Sequence, residues 1–317
     1  MIIIQLAGGL GNQLQQYALY QKFKSLGAEA KLDLSWFEQF KTTERKNGII
    51  ATNRQCELDF FDHLPYESCT GEEKTALTGS QGLAGKLRRR LLPQTVHWYK
   101  EKQMYDPALL NYRNMYVSGY FACEKYYADI LPELRELIRF PKIVDAQKRM
   151  ANEEILKKIR NSHAVSVHIR RGDYLQPENA VMFGNICTEE YYESALNCMK
   201  EKIKDPQFFI FSDDAAYVKE HYQGEEYTIV DINHGGDSFY DMYLMSQCEG
   251  NICANSTFSF WGARLNDRSD KIMIRPTKQK NSQVFDEAQM KDLWKDWIFI
   301  DPQGQVYNDI AFRDLQV

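Results

Sequence analysis

Residue types that could bind an anion or move a proton are concentrated in four short segments. The most informative is His168-Ile169-Arg170-Arg171-Gly172-Asp173, which follows a run of apolar residues. A guanidinium is a planar fork of donors that suits a phosphate, and it stays charged while a diphosphate departs. Asp173 paired to either arginine would instead close a loop with an ion pair. The segment therefore predicts a diphosphate site, with a structural ion pair as the alternative.

The second segment is Ala7-Gly8-Gly9-Leu10-Gly11-Asn12-Gln13, directly after the apolar N-terminal run. Its glycines let the backbone approach a ligand, and a helix that begins here offers unpaired amides to an anion. A dinucleotide fingerprint is not formed, because Leu14 stands near the third glycine position and no acidic residue ends a clear second strand. Asn12 and Gln13 supply amides that a plain tight turn, the alternative, does not need.

The other two segments also follow predicted strands. Phe211-Ser212-Asp213-Asp214 carries paired carboxylates that could bind a metal or cap the next helix, and capping is favoured. Asn251 to Leu265, NICANSTFSFWGARL, places the Ser256 and Thr257 hydroxyls at a helix start, where free amides and the helix dipole favour phosphate. Simple helix capping is the alternative for this segment. Since parallel strands direct such loops to one edge of a sheet, the segments predict a common site.

Composition excludes several function classes. The 317 residues carry 39 Lys and Arg against 44 Asp and Glu, so the net charge of −5 gives no field to attract nucleic acid. The seven cysteines never form a C-x-x-C pair, which argues against a disulfide framework or a zinc site. No D-x-D occurs, so a metal–diphosphate bridge of that kind is not expected. The segments together suggest a nucleotide-sugar transferase that needs no metal and no other cofactor.

The expected location is cytoplasmic, because the N-terminus lacks a signal-peptide pattern and no apolar stretch approaches the ~20 residues that cross a bilayer. The basic cluster Lys86–Arg90 is the one candidate for peripheral contact with an anionic membrane, and a solvated helix face is the favoured alternative.

Alternating strands and helices must position these segments. Ile2 to Leu6 predicts a strand, with a helix after it that ends near Gly27. Ala164 to Ile169, Phe208 to Phe211 and Asn251 to Ala254 predict buried strands. Helices are predicted over Thr188 to Ile203, Phe239 to Cys248 and Phe258 to Leu265. The residues from Ala28 to about Arg90 show no clear periodicity.

This alternation predicts an α/β fold with doubly wound parallel sheets. Two charged amphipathic stretches around Pro141 are interpreted as a bridge between domains, which places the boundary near residue 155. The expected domains are 1–155, which carries the glycine-rich loop, and 156–317, which carries the other three segments. The last ~30 residues are a candidate to pack back on the first domain.

Three blocks, GGLGNQLQQYA, VSVHIRRGDY and ANSTFSFWGARL, together resemble the bacterial α-1,2-fucosyltransferases of glycosyltransferase family eleven. They span Gly8 to Leu265 in the order of that family. The resemblance implies a GT-B fold, in which two Rossmann-like domains face each other across a cleft. It also implies GDP-fucose as donor, inversion at the anomeric carbon without a metal, and the 2-hydroxyl of a terminal galactose on a glycan as acceptor.

The resemblance also implies roles for individual residues. Arg170 matches the arginine that grips the donor diphosphate, His168 the histidine beside guanine, and Asp241 the aspartate that reads the guanine edge. An aspartate that simply faces solvent is the alternative for Asp241. The remaining nucleotide-sugar contacts fall on the last block and on the glycine loop, and they are Asn255, Ser256, Thr257, Gly11 and Asn12.

The general base is left open between Asp173 and Glu178, which lies five residues further along the same loop. The family usually has Phe where Gln15 stands, and it differs around Phe260 to Arg264, positions interpreted as helix packing and acceptor-side wall. Two alternatives to fucosyl transfer remain. One is a transferase for another GDP-sugar or linkage, and the other is a non-catalytic module that binds nucleotide sugar or glycan.

Overall fold

The computed structural model describes residues 1–38, 55–79 and 97–308. The chain divides into two compact units, Met1–Arg139 and Phe140–Val317. This division precedes the boundary predicted near residue 155, because the helix interpreted as a bridge packs its Ile155 and Ile159 into the core of the second unit. The basic cluster Lys86–Arg90 lies outside the described residues.

The first unit is built on a parallel sheet whose strand order is β2-β1-β4-β3. The strands are β1 Ile2–Gln5, β2 Ala30–Asp33, β3 Trp98–Lys100 and β4 Met115–Ser118. The helices are α1 Leu10–Ser25, α2 Ser35–Glu38, α3 Gly71–Thr78 and α4 Leu131–Leu137. The three isoleucines of β1 are fully buried because strands pair with β1 on both sides and helices cover its apolar residues. The predicted strand, glycine loop and helix are confirmed, and Gly27 at φ +74° follows the helix end.

One expectation for the first unit was wrong. β2 is a well-formed strand next to β1, and it ends in an acidic residue, Asp33. A dinucleotide site is still not formed there, because the Asp33 carboxylate is buried and fully used. It accepts from Tyr116 Oη at 2.6 Å and pairs with Lys74 at 2.8 Å, and Ser35 donates its amide at 3.0 Å. Its pKa stays below the usual range because these donors outweigh the burial.

The second unit holds a seven-stranded sheet in the order β11-β10-β9-β8-β5-β6-β7, parallel except for the β10–β11 pair. The strands are β5 Ala164–Ile169, β6 Gln207–Ser212, β7 Tyr227–Val230, β8 Gly250–Ile252, β9 Ile272–Pro276, β10 Trp297–Ile300 and β11 Val306–Tyr307. The helices are α5 Ala146–Arg160, α6 Pro177–Phe183, α7 Glu189–Lys202, α8 Ala215–His221, α9 Phe239–Ser246, α10 Thr257–Leu265 and α11 Glu287–Leu293.

These elements match the sequence prediction closely. β5 has the predicted bounds, and Thr188 caps α7 by accepting the amide of Tyr191. β8 ends at Ile252, two residues earlier than predicted, and α10 begins one residue earlier. The described part of the last thirty residues forms β10 and β11 in the sheet of the second unit. The structure confirms the α/β class with two Rossmann-like units, the components of a GT-B fold.

Both faces of the second sheet are buried, and β5 lies in its interior. Val165, Val167 and Ile169 point to the core under α7, while Ala164 joins the core under α5 and α9. α9 and α10 pack closely because Gly262 has no side chain. An added Cβ there would lie 2.9 Å from Cβ of Met245. This packing holds together two helices that carry predicted site residues.

Candidate functional site

The three predicted segments of the second unit follow neighbouring strands. β8, β5 and β6 are adjacent and parallel, so the loops after them emerge at the same edge of the sheet. The topology therefore brings the Arg170 segment between the paired carboxylates of Asp213-Asp214 and the hydroxyls of Ser256-Thr257. This confirms the expectation that these segments share one edge.

Arg170 is held by two carboxylates. Its Nη2 donates to Oδ1 of Asp173 at 2.6 Å, and its Nη1 lies 2.9 Å from Oδ2 of Asp213. The guanidinium is about one-third exposed and lies 5.6 Å from the ring centre of Tyr174. The ion pair considered as an alternative is present, but the partial exposure leaves the guanidinium accessible to an anion.

Arg171 has a different environment. Its Nε lies 3.1 Å from Oδ2 of Asp214, and its guanidinium is stacked 3.6 Å from the ring centre of Tyr217. Asp214 also caps α8 by accepting the amide of Tyr217, and this bond together with Arg171 lowers the pKa of its carboxyl. The favoured capping role is thus confirmed for Asp214. Arg171 is the arginine whose guanidinium is fixed by packing and by its ion pair.

A cavity of about 280 Å³ lies beside this loop, within the second unit. Charged and polar groups line it together with aromatic rings and the N-terminal residues of α7. The lining residues used below are Arg170, Arg171, Tyr174, Cys187, Tyr192 and Asn255. The strand alternation predicted His168 and Arg170 on the same side. The strand ends at Ile169, however, and of these two residues only Arg170 lines the cavity.

Asn255 borders the cavity, but its side chain forms hydrogen bonds with other residues of the protein. Its Nδ2 donates to the carbonyls of Phe183 at 3.0 Å and Gln279 at 3.2 Å, and its Oδ1 lies 3.6 Å from Sγ of Cys187. Tyr174 donates its hydroxyl to the Asn255 carbonyl at 3.3 Å. The residue therefore ties together the loops that form the cavity wall.

Ser256 and Thr257 stand at the start of α10, and both are half-buried. Ser256 occupies the N-cap position without a side-chain cap bond, so simple capping does not account for its hydroxyl. The first amides of a helix have no partner within the helix, and its dipole is positive at this end. Two hydroxyls and these amides form a site that favours an anion.

His168 is almost fully buried, and its ring lies 5.8 Å from that of Phe258. Burial lowers the pKa of the imidazole to about 3, and the charge of Arg170 adds to this effect. The ring is therefore neutral at physiological pH. Its Nδ1 has no hydrogen-bond partner within the described residues, which leaves one polar atom to be satisfied by water or a ligand.

Asp241 lies in the first turn of α9 and is half-buried rather than solvent-facing. Its Oδ1 accepts from Nδ2 of Asn233 at 2.8 Å, and Asn233 is held in turn by Asn152. Burial raises the pKa of the carboxyl to about 7, although the Asn233 bond opposes this rise, and the charge of Asp231 raises it further. Such a carboxyl gains most from a ligand that donates hydrogen bonds to it.

The two candidate bases differ in surroundings. Asp173 lies on a short 3-10 turn and bonds Arg170, whereas Glu178 lies in the first turn of α6 with an exposed side chain. Of the two, Asp173 contacts Arg170, the residue that is predicted to bind the diphosphate. The sequence considered Asp213 only as a cap or a metal ligand and missed its bond to Arg170.

Gly11 and Asn12 lie in the first turn of α1 in the first unit, after a loop that two glutamines hold in place. Gly8 adopts φ +84°, and an added Cβ would meet Nδ2 of Asn12 at 2.7 Å, so this position requires glycine. Gln13 donates to the carbonyl of Gly8 at 3.0 Å, and Gln16 accepts the amide of Ala7 at 2.8 Å. The loop is thus a fixed feature built around its glycines.

Among the described residues, no helix is both long and apolar enough to cross a membrane. Within residues 1–38, 55–79 and 97–308, no three His, Cys, Asp or Glu side chains are grouped so that they could hold a metal ion.

Comparison with known proteins gives consistent matches. The model of glycosyl transferase family 11 matches residues 97–301. The chain is 30% identical to the O-antigen biosynthesis glycosyltransferase WbnK of Escherichia coli, over 86% of this chain and 93% of the relative. It is 29% identical to an alpha-1,2-colitosyltransferase of Escherichia coli, over 87% of this chain and 91% of the relative. It is also 26% identical to galactoside alpha-(1,2)-fucosyltransferase 2 of Sus scrofa, over 56% and 53%.

Similar solved structures include POFUT1 in complex with GDP, at 13% identity and a TM-score of 0.41, over 86% of this chain and 97% of that one. The Escherichia coli heptosyltransferase WaaC matches at 12% identity and a TM-score of 0.37, over 96% and 94%.

Proposed function

Because the chain belongs to glycosyl transferase family 11, we propose that it transfers L-fucose from GDP-fucose to the 2-hydroxyl of a terminal galactose. The transfer inverts the anomeric carbon and needs no metal. The mammalian relative named as a galactoside alpha-(1,2)-fucosyltransferase supports this donor, acceptor and linkage. The relative named for O-antigen biosynthesis supports a bacterial surface glycan as the acceptor.

One observation carries the proposal of a metal-independent diphosphate site. The partly exposed guanidinium of Arg170 and the uncapped start of α10 follow adjacent parallel strands. A fixed positive charge and free amide and hydroxyl donors can stabilise the charge that develops on a departing diphosphate without a cation. In this role Arg170, Ser256 and Thr257 contact the phosphates.

Asp241 supports guanine as the base. Guanine presents two neighbouring donors, N1–H and N2–H, that a carboxylate accepts, and adenine and uracil lack this pair. Burial raises the pKa of Asp241 to about 7 because its carboxylate is poorly solvated, and that carboxylate would gain from such donors. His168, neutral and buried beside Phe258, offers a flat ring on which a base could stack.

The reaction is an in-line attack of the acceptor hydroxyl on an oxocarbenium-like anomeric carbon, with GDP leaving from the opposite face. Arg170 neutralises charge on the leaving diphosphate, and Asp173 or Glu178 removes the acceptor proton. Asp173 is the stronger candidate because it lies in contact with Arg170, while Glu178 points to solvent on α6.

A second donor is favoured by a specific observation. The relative named as an alpha-1,2-colitosyltransferase matches 87% of this chain, far more than the mammalian fucosyltransferases do. Colitose lacks the 3-hydroxyl of fucose, so the two sugars differ by a single polar group. The donor proposal therefore includes GDP-colitose as the competing sugar.

The test is a donor survey. The protein is incubated with GDP-fucose, GDP-colitose, GDP-mannose and UDP-galactose, with lactose or N-acetyllactosamine as acceptor, with and without EDTA, and product linkage is determined. EDTA-resistant fucosylation of the galactose 2-hydroxyl is the expected result. Preference for GDP-colitose would replace fucose as the donor, and GDP binding without transfer to any glycan of an array would contradict the enzymatic proposal.

Arg170→Ala is expected to lower turnover by ~10²–10³, the range typical of a removed oxyanion-type contact. Arg268→Ala is the matched control, because Arg268 is an exposed arginine of the same unit paired with Asp270. Near-wild-type transfer by a folded Arg170→Ala variant would remove Arg170 from the mechanism.

A further inference from the structure

Two carboxylates bind the same guanidinium, and they differ in how firmly they are fixed. Asp213 lies 2.9 Å from Nη1 of Arg170 and also accepts the amide of Arg171 at 2.9 Å. A Cβ at Gly172 would overlap its Oδ2, so the loop is closely fitted around this carboxylate. Asp213 is therefore built into the turn.

Asp173 is held differently. Within the described residues its carboxylate bonds Arg170 alone, at 2.6 Å, and its side chain is 39% exposed. It lies on a short 3-10 turn, three residues after Arg170 in the same loop. An exposed ion pair of this kind contributes little, since water screens it and both side chains lose freedom. A ligand of Arg170 could therefore replace Asp173 at little cost.

The charges of the cluster favour such an exchange. Two guanidiniums, Arg170 and Arg171, face three carboxylates, Asp173, Asp213 and Asp214, so the cluster carries one net negative charge. A diphosphate that approaches Arg170 meets a guanidinium whose Nη1 and Nη2 each already serve a carboxylate. Of its five N–H donors three remain, so a phosphate that binds both Nη groups in a bidentate manner competes with these carboxylates.

We propose that Asp213 is the permanent partner that orients Arg170, whereas Asp173 is a temporary occupant that the donor diphosphate displaces. The inference rests on the proposed function, because it takes Arg170 as the diphosphate ligand. Displacement frees the Asp173 carboxylate only when the donor is bound. Asp213 acts through Arg170 and is a positioning residue.

The test compares the affinities of two ligands for matched variants. GDP and inorganic pyrophosphate are titrated calorimetrically into the full-length wild type and the variants Asp173→Asn, Asp213→Asn and Asp270→Asn. The last is the control, because it removes the same charge from an exposed pair in the loop before β9, at the opposite edge of the sheet. Thermal melting checks that each variant is folded.

The two carboxylates are expected to act with opposite signs. Asp173→Asn removes the competitor and tightens both ligands by ~3–10-fold, while Asp213→Asn loosens them by a similar factor because Arg170 loses its orientation. Asp173→Glu keeps the charge and is expected to return affinity toward the wild type. With GDP-fucose, Asp173→Asn lowers KM and kcat together, and Asp213→Asn raises KM and lowers kcat.

The results separate this inference from the proposed function. The exchange is overturned if the wild type binds GDP and pyrophosphate but Asp173→Asn binds them no more tightly. It is also overturned if Asp173→Asn and Asp213→Asn both bind them more tightly. Either result leaves the proposed GDP-sugar site intact. Pyrophosphate binding that Asp173→Asn tightens, without any GDP binding, supports the exchange and overturns guanine recognition. Failure of the wild type to bind either ligand overturns both.

Discussion

The raised pKa of Asp241 predicts how GDP binding depends on pH. Burial raises the pKa of the carboxyl to about 7, and the proposed contact with guanine requires its ionised form. About nine-tenths of the molecules carry the carboxylate at pH 8 and about one-tenth at pH 6. If guanine binds only the ionised form, GDP affinity falls by about tenfold from pH 8 to pH 6. His168 does not titrate here, because its pKa is about 3.

The assay is calorimetric titration of GDP at half-unit pH steps from 6 to 8, for the wild type and for Asp241→Asn. The phosphates of GDP ionise in this range in both titrations, so the difference between the two curves isolates Asp241. The wild-type curve should steepen below pH 7, with proton release near pH 7 seen as a dependence on the ionisation enthalpy of the buffer. Parallel curves for the two proteins would refute guanine recognition by this carboxylate.

Three further predictions concern stability and the Arg170 loop. Without nucleotide, Asp241→Asn should stabilise the protein at pH 8 by ~1–3 kcal/mol. The reason is that the raised pKa of Asp241 makes the wild type lose stability as the pH rises from about 4 to 7. Equal melting temperatures of the two proteins at pH 8 would contradict this. Gln15→Leu should raise the free energy of unfolding by ~1–2 kcal/mol, since the buried Gln15 amide has no hydrogen-bond partner within the described residues. The control Gln16→Leu should lower the free energy of unfolding, because the Gln16 side chain bonds Ala7 and Gly119. Gly172→Ala should reduce turnover by ~10-fold or more with little change in melting temperature, because the added methyl group displaces Asp213 from Arg170, and unchanged turnover would show that their contact is dispensable.

Local patterns predicted much of the second unit. The bounds of β5 follow from the sequence because five of its six residues are apolar or small, and the Thr188 cap marks the start of α7 by a contact three residues away. Periodicity and capping depend on residues near in sequence, so they can be seen without the fold. β2 and Asp33 escaped prediction because a four-residue strand is defined by its pairing with β1 rather than by its own pattern.

The sequence by itself determined the segments that could bind a diphosphate, the order of strands and helices around them, and the family to which they belong. Only the tertiary structure decided which side chains those segments contact. Arg170 and Asp213 meet because β5 and β6 pair in parallel, although 43 positions separate the two residues. The pKa of Asp241 follows from burial among α5, α9 and the Asn233 loop. Charge coupling and desolvation depend on distances through space, and those are fixed by packing rather than by spacing along the chain.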